Sequence, residues 1–385
     1  MKKTLVAIAA LASVSAFAQV TITGNLDFAG ARVGGTALGQ KGTTFSTTTG
    51  TGSTSAINIA ASEDLGGGMK ATAFWGLDIR SLSNDSLGVT NVQGSATNHT
   101  PGTAVTGIAR HEAYVQLDSG MGTLKIGAPN SIGLNVQGDS SPNGTGIGSG
   151  YGGIADNTMV NSVVQTRYSR SIRFDSPNIN GITASFIYAP GNDQAEVLAN
   201  AGNTNSRLQI PNARRANEVG FKYVNGPLTI SAAQIMQAYQ TNRTGWYGVD
   251  SDQTGTASLA SLATRSNIFA ANYKFGNTQF YVGAGTGSAN TSTTSLTAVN
   301  MSRWAVKHSI GALDIMPQYT RVKTTTALGV TTLPTVTGLK LDYNMSKTTV
   351  AYLGYENFNT GSALATTGTT SGTRSITSVG LRKSF

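Results

Sequence analysis

The chain has 385 residues, 12% of them charged and 39% hydrophobic, with 47 glycines, no cysteine and a formal net charge of +9. That balance suits neither a bundle of membrane helices nor an ordinary soluble enzyme, and it excludes a disulfide framework and thiolate chemistry. Outside the first residues no apolar run reaches the roughly 18–20 that a spanning helix needs, so a membrane could be crossed only by strands. The cations are dispersed rather than clustered, which argues against a nucleic-acid partner.

At the amino terminus Lys2 and Lys3 precede a mostly apolar run from Leu5 to Phe17, closed by Ala16-Phe17-Ala18. A positive start, a short apolar stretch and an A-x-A site read as a cleaved secretory signal, residues 1–18. Residues 19–385 are then one exported domain. Without disulfides, such a domain needs another source of stability, and closing a sheet into a barrel pairs every strand edge.

From Gln19 onward apolar residues recur at every second position. Val20, Ile22, Leu26 and Phe28 alternate with Thr21, Thr23, Asn25 and Asp27. Ile57 and Ile59 mark a weaker strand near 54–64. Ala71, Ala73, Trp75 and Leu77 alternate with Lys70, Thr72, Phe74 and Asp78. Ala113, Val115 and Leu117 alternate with Glu112, Tyr114, Gln116 and Asp118. The same period recurs at Ala184-Phe186-Tyr188, Val219-Phe221-Tyr223, Phe269-Ala271-Tyr273-Phe275 and Leu339-Leu341-Tyr343. Two-residue periodicity is the mark of strands with one apolar and one polar face.

The connectors come in two alternating kinds. Tight ones carry the Gly, Asn and Asp of hairpin turns, as at Gly66-Gly67-Gly68, Asn225-Gly226-Pro227 and Phe275-Gly276-Asn277. Long ones, rich in Gly, Ser and Thr, fall near 30–53, 81–107, 129–162, 191–215, 241–263, 288–298, 324–335 and 360–372. This spacing predicts an all-β, transmembrane antiparallel barrel of about 16 strands, with short periplasmic turns and long external loops. Pro317 falls inside the strand predicted at 312–323, where it implies a bulge or a misplaced boundary.

The last strand runs from Arg374 to Phe385. Thr377, Val379, Leu381 and Phe385 form its apolar side, which Lys383 interrupts. To close the ring it must pair with Val20 to Phe28. Lys383 is then a tolerated charge near an interface, where the penalty falls to roughly 0–1 kcal/mol.

If the apolar faces meet lipid, the charged residues face a polar lumen. Among them Arg80, Arg110, Lys125 and Arg167 are candidates for a basic wall at a constriction, because charged rings set ion selectivity. Most inward charges are expected to be solvated wall residues paired with acids such as Asp27, Glu112, Asp118 and Glu218. The loop at 129–162 is the longest, and its charges are chiefly Asp139 and Asp156. A barrel of this strand count leaves a channel that side chains cannot fill, and an inward-folded loop would narrow it. Enzyme signals are poor. His99, His111 and His308 lie in different elements, and no Gly-x-Ser-x-Gly elbow occurs. Gly148-Ser149-Gly150-Tyr151-Gly152-Gly153 matches a dinucleotide fingerprint only in letters, because it opens no helix after a strand. No metal or cofactor is expected.

Several segments together carry a family resemblance. They are Ser62-Glu63-Asp64-Leu65-Gly66-Gly67-Gly68-Met69-Lys70-Ala71, Glu112-Ala113-Tyr114-Val115 with Gly122-Thr123-Leu124-Lys125-Ile126-Gly127, Arg173-Phe174-Asp175-Ser176-Pro177, Asn225-Gly226-Pro227-Leu228 and Val379-Gly380-Leu381-Arg382-Lys383-Ser384-Phe385. From Val20 to Phe385 the chain resembles the trimeric general porins of Gram-negative outer membranes, in particular the beta-proteobacterial branch. The resemblance implies sixteen strands, a homotrimer, a third loop folded into the pore, and passive diffusion of small hydrophilic solutes, often with a preference for anions. It also implies contact with outer-membrane lipid and lipopolysaccharide. Val379, Leu381 and Phe385 resemble the signal read by the barrel-assembly machinery. The chain departs from the pattern in three places. Ala56 stands where a second-strand pore arginine is usual, His111 where another arginine is expected, and Gly127-Ala128-Pro129 where Gly-Arg-Gln usually ends the fifth strand. The expected reading is an outer-membrane channel without chemistry. The alternatives are an outer-membrane barrel enzyme, which needs a converging Ser/His or Asp/His set, and a secreted β-rich adhesin, which needs an internal repeat.

Overall fold

The computed structural model describes residues 19–35, 44–49, 51–79, 110–144, 146–149, 166–168, 170–190, 214–239, 262–292, 295–325, 331–359 and 373–385. The strands are β1 (Gln19–Gly35), β2 (Thr44–Thr49), β3 (Ala56–Gly66), β4 (Met69–Asp78), β5 (Arg110–Ser119), β6 (Gly122–Ala128), β7 (Ser171–Asp175), β8 (Ile182–Ala189) and β9 (Arg214–Asn225). They continue with β10 (Leu228–Tyr239), β11 (Leu262–Phe275), β12 (Thr278–Ser292), β13 (Ser295–Ile310), β14 (Leu313–Thr325), β15 (Thr331–Thr332), β16 (Thr335–Asn344), β17 (Thr349–Asn359) and β18 (Thr373–Ser384). Among the described residues one helix, α1 (Ile132–Asp139), lies in the third long connection.

These eighteen segments form a closed antiparallel barrel of sixteen staves. β2 and β3 both pair with β1 and make one stave; β15 and β16 both pair with β14 and make another. The seven tight turns fall where the Gly, Asn and Asp clusters lie, and Gly226, Gly276 and Gly311 adopt the positive φ that such turns demand. Two of the long connections are shorter than expected. β1 runs on to Gly35 and β2 begins at Thr44, inside the segment read as a loop at 30–53. β12 and β13 reach Ser292 and Ser295, so most of 288–298 is strand. The first is dominated by Gly and Thr and the second by Ser and Thr, with Val33, Phe45 and Leu296 too isolated to show a lipid-facing period.

The closing seam has a different register from the expected one. β18 pairs with Asn25–Gly35, with Asn25 opposite Ser384 and Gly35 opposite Arg374. Residues 19–24 pair with β3 and extend below the chain end. The tilt and stagger of a closed barrel produce this offset between neighbouring staves. Phe385 still reaches back: its N–H and C=O bond the Gly24 backbone, both at 3.0 Å. Lys383 points outward with its Nζ on Thr348 Oγ1 at 2.5 Å, so the charge is anchored in the turn between β16 and β17. Pro317 causes neither a bulge nor a boundary error. β13 and β14 keep one register from Ala298↔Thr325 to Ile310↔Leu313, and the ladder only omits the pairs beside the proline.

Burial alternates as the sequence period requires. In β16, Val336, Gly338, Lys340 and Asp342 are buried while Thr337, Leu339 and Tyr343 are exposed. The exposed outer face carries Trp75, Val115, Phe174, Phe186, Phe221, Phe280, Trp304, Tyr355 and Leu381, an apolar surface suited to lipid. The inner apolar core sits against one side of the lumen, where Ile132 and Val136 of α1 pack among Ile187, Ile235, Ile268 and Ala270. Each such side chain contributes about 1.5–3 kcal/mol by leaving water.

One stave leaves the sheet. Thr49 faces Phe28 and Ala56 faces Asn25, so six residues occupy a span that two occupy on β1. The excursion folds inward over Asp27. Asp27 accepts from Ser53 N–H at 2.8 Å and from Tyr352 Oη at 2.5 Å. The Tyr352 hydroxyl also meets Thr51 Oγ1 and Gly52 N–H. Ala56, 3% exposed, stands at its foot.

Candidate functional site

The third long connection enters the lumen and follows its wall. Its two ends pair with each other, through the Asn130↔Arg167 bridge and the Ser131 N–H bond to Thr166 O. Glu112 accepts Asn130 N–H at 2.8 Å, and Arg173 donates to Asn130 O at 2.8 Å. From this base α1 runs along β8–β11.

The helix needs its ends satisfied, because the first N–H groups and last C=O groups of a helix have no partner within it. Ser131 Oγ accepts Leu134 N–H at 2.9 Å. Glu218 of β9 accepts the Ile132 and Gly133 N–H groups at 2.6 and 3.0 Å, and Tyr168 Oη donates to its other oxygen at 2.7 Å. A carboxylate at a helix N-terminus is also favoured by the helix dipole. At the far end Asp139 bonds Lys222 Nζ at 2.7 Å and Ser231 Oγ at 2.9 Å, while its carbonyl accepts from Asn272.

Beyond the helix the chain crosses to β12–β17. Arg303 donates to Ser140 Oγ (3.1 Å), Ser149 O (2.9 Å) and Thr320 Oγ1 (3.0 Å). Gln318 bonds Ser141 Oγ and Ser149 O, and Glu356 accepts Gly148 N–H at 2.7 Å. Ile147 N–H bonds Thr51 O of the inward excursion at 2.6 Å. Gly148 lies backbone to backbone on Gly338: a Cβ on Gly338 would collide with the Gly148 backbone, and Gly148 itself takes a φ of +87°.

Among the described residues, the loop therefore covers the wall from β8 to β17 and leaves β3–β6 bare above its base. That bare wall carries Thr72, Phe74, Tyr114, Gln116, Asp118, Thr123 and Lys125. Phe74 and Tyr114 stack at 5.0 Å, and Lys125 Nζ sits 5.1 Å over the Tyr114 ring. Asp118 accepts from Gln116 and Thr123. Opposite Gly76, β5 holds one extra residue, and the His111 ring packs where a Gly76 side chain would be.

The expected site residues scatter over this arrangement. Lys125 is on the bare wall. Arg167 is at the base of the loop rather than across from it. Asp139 is tied to β9 and β10. Arg110 opens β5 opposite Leu77, but its side chain, with Arg80 and Asp156, lies outside the described residues. The proposed signal residues 1–18 lie outside them too. Val379, Leu381 and Phe385 lie exposed on the outer face of β18 and at its end. Inward charges were expected to be solvated. Arg303 and Glu218 are 0% exposed, because the loop lies over them. Their inward parity was legible; that the loop would cover them was not. The helix is faint in sequence as well, its one local signal being the capping Ser131.

The comparisons agree with this geometry. The model of the family described as Gram-negative porin matches residues 4–363. An anion-selective porin from Comamonas acidovorans superposes with a TM-score of 0.71 at 19% identity, covering 96% of this chain and 100% of that one. The in-vitro folded trimer form of OmpT, an outer membrane protein of Vibrio cholerae, gives 0.65 at 11%, covering 96% and 100%. OmpF of Salmonella typhi in complex with daunomycin gives 0.63 at 12%, covering 95% and 97%. No curated protein sequence matches the chain. An inward-folded loop in a sixteen-stave barrel, with a family match over nearly the whole chain, leads to one conclusion: the chain belongs to the Gram-negative porins and is a β-barrel channel of the outer membrane.

Proposed function

We propose that this porin is a homotrimer that passes small hydrophilic solutes passively, with a mild preference for anions and without chemistry of its own. The observation that carries the preference is Lys125, half-buried beside Tyr114 and not covered by the described residues of the loop. A cation in a confined aqueous path raises the local concentration of anions. Likeness to a porin whose name states anion selectivity, and to a trimer form, supports the same reading. A barrel enzyme would need a histidine beside a nucleophile or acid. His308 lies exposed at the outward parity of Trp304, facing away from the lumen. The membrane partners of this reading are outer-membrane lipid and lipopolysaccharide, and assembly uses the barrel-assembly machinery. Residues 1–18 act as the cleaved signal.

Reversal potentials across planar bilayers in a salt gradient test the preference. The expected sign is that of anions; a cation sign overturns the preference, and absence of any conductance overturns the channel. Removal of Phe385, which deletes two backbone bonds to Gly24, is expected to lower the yield of detergent-resistant trimers. An unchanged yield would refute the assembly role.

A further inference from the structure

A water-filled lumen favours polar side chains on its wall, yet Phe74 of β4 and Tyr114 of β5 both point into it. Their strand neighbours Trp75 and Val115 are exposed on the outer face, which fixes the parity. Other inward aromatic residues, Tyr281, Tyr352 and Phe358, are buried, whereas Phe74 and Tyr114 keep part of their surface open. The two residues are direct partners in the ladder, with ring centroids 5.0 Å apart and planes 11° from parallel. At that level the wall on either side is low. Ala60 of β3 stands opposite Phe74, and Gly127 of β6 stands opposite Tyr114 and adds no side chain. Lys125, two residues nearer the short turns, fills the vacancy and places its Nζ 5.1 Å over the Tyr114 ring.

The charges around this pair select a partner. Arg173, across from Lys125 on β7, is committed to Asp175 and to Asn130 O. Glu112 is taken up by Asn130 N–H, and Asp118 by Gln116 and Thr123. Lys125 Nζ bonds no carboxylate among the described residues, and it is not sealed from the lumen. The wall therefore offers a raised aromatic surface with an available cation at its side. A purely polar anion uses only the cation, and a neutral ring uses only the aromatic surface. We propose that Phe74, Tyr114 and Lys125 form a binding subsite for small aromatic carboxylates. The ring of the solute packs on the aromatic pair in offset or edge-to-face contact, and its carboxylate accepts from Lys125 Nζ. The inference rests on the reading of Lys125 as the cation that attracts anions, and adds a solute class to it.

The test uses the reconstituted protein in planar bilayers and three probes of similar size. Benzoate has the aromatic ring and the charge, benzamide the ring alone, and cyclohexanecarboxylate the charge on a saturated ring. Half-saturation of the added current noise is expected at a concentration at least about threefold lower for benzoate than for either analogue. Phe74→Leu should remove its advantage over cyclohexanecarboxylate, and Lys125→Gln its advantage over benzamide. Tyr114→Leu should reduce both, because Tyr114 touches the other two residues. Cyclohexanecarboxylate equal to benzoate would leave the aromatic pair without a part, and benzamide equal to benzoate would do the same for Lys125. Either result overturns the proposal, as does an advantage that survives the matching substitution. The comparison of probes needs no variant, so it decides even where a substituted chain fails to assemble. A channel of anion sign without a benzoate advantage overturns only this subsite; a cation sign overturns the reading on which it rests.

Discussion

The two halves of the lumen wall use the same kinds of residue at the same parity for opposite ends. On the covered half Glu218, Arg303 and Glu356 are no more than 1% exposed, and each holds a backbone or hydroxyl group of the third loop. On the half that the described part of the loop leaves bare, Gln116, Asp118 and Lys125 are half-buried, and Lys125 has an aromatic face beside it. Strand position decides only that a charge points inward. What the third loop lays over it decides whether it becomes an anchor or part of the channel lining.

Substitutions that remove a sealed anchor should cost most. Glu218→Ala removes the acceptor of two helix N–H groups and of the Tyr168 hydroxyl, and each buried donor left unsatisfied costs about 1–3 kcal/mol. The expected result is a marked fall in the thermal midpoint of the trimer, with noisier open-channel current. A melting curve like that of the unsubstituted protein would erase the distinction between the halves. Ser140→Ala should act in the same direction but less, because it removes one acceptor of Arg303 and leaves two, about 1–2 kcal/mol. Lys125→Gln reverses the pattern: stability should hold within about 0.5 kcal/mol while the reversal potential moves toward cations. Loss of trimer stability there would mean that the bare wall is structural too. Lys383→Gln, outside the lumen, should alter neither reading, with a stability change of about 0–1 kcal/mol.

The strand period made most of the barrel legible. Trp75, Val115, Phe186 and Leu339 lie outward where the alternation puts them, and the tight turns fall at their Gly and Asn clusters. Legibility failed where the physical signal is not local. The upper part of β1 is mostly Gly and Ala and the tip of the β12–β13 hairpin mostly Ser and Thr, which satisfy a ladder while showing at most one large apolar residue each. The seam register follows from barrel stagger rather than from either strand alone. Ala56 marked a missing arginine, but the six-residue excursion beside it emerges only when both neighbours of β1 are aligned. Glu218 and Lys125 look alike in sequence because neither carries any sign of where a loop some eighty residues away, or adjacent, comes to rest.

The seam has a kinetic consequence. It joins groups as far apart in sequence as Gly24 and Phe385. Contacts of such long range form late, since the chain between them must be ordered first. Until β18 arrives, the first and the latest staves both present unpaired edges, which are templates for wrong partners. Because β18 closes on β1, the ring can be sealed only after every stave between them has been delivered, so closure doubles as a check on the staves themselves.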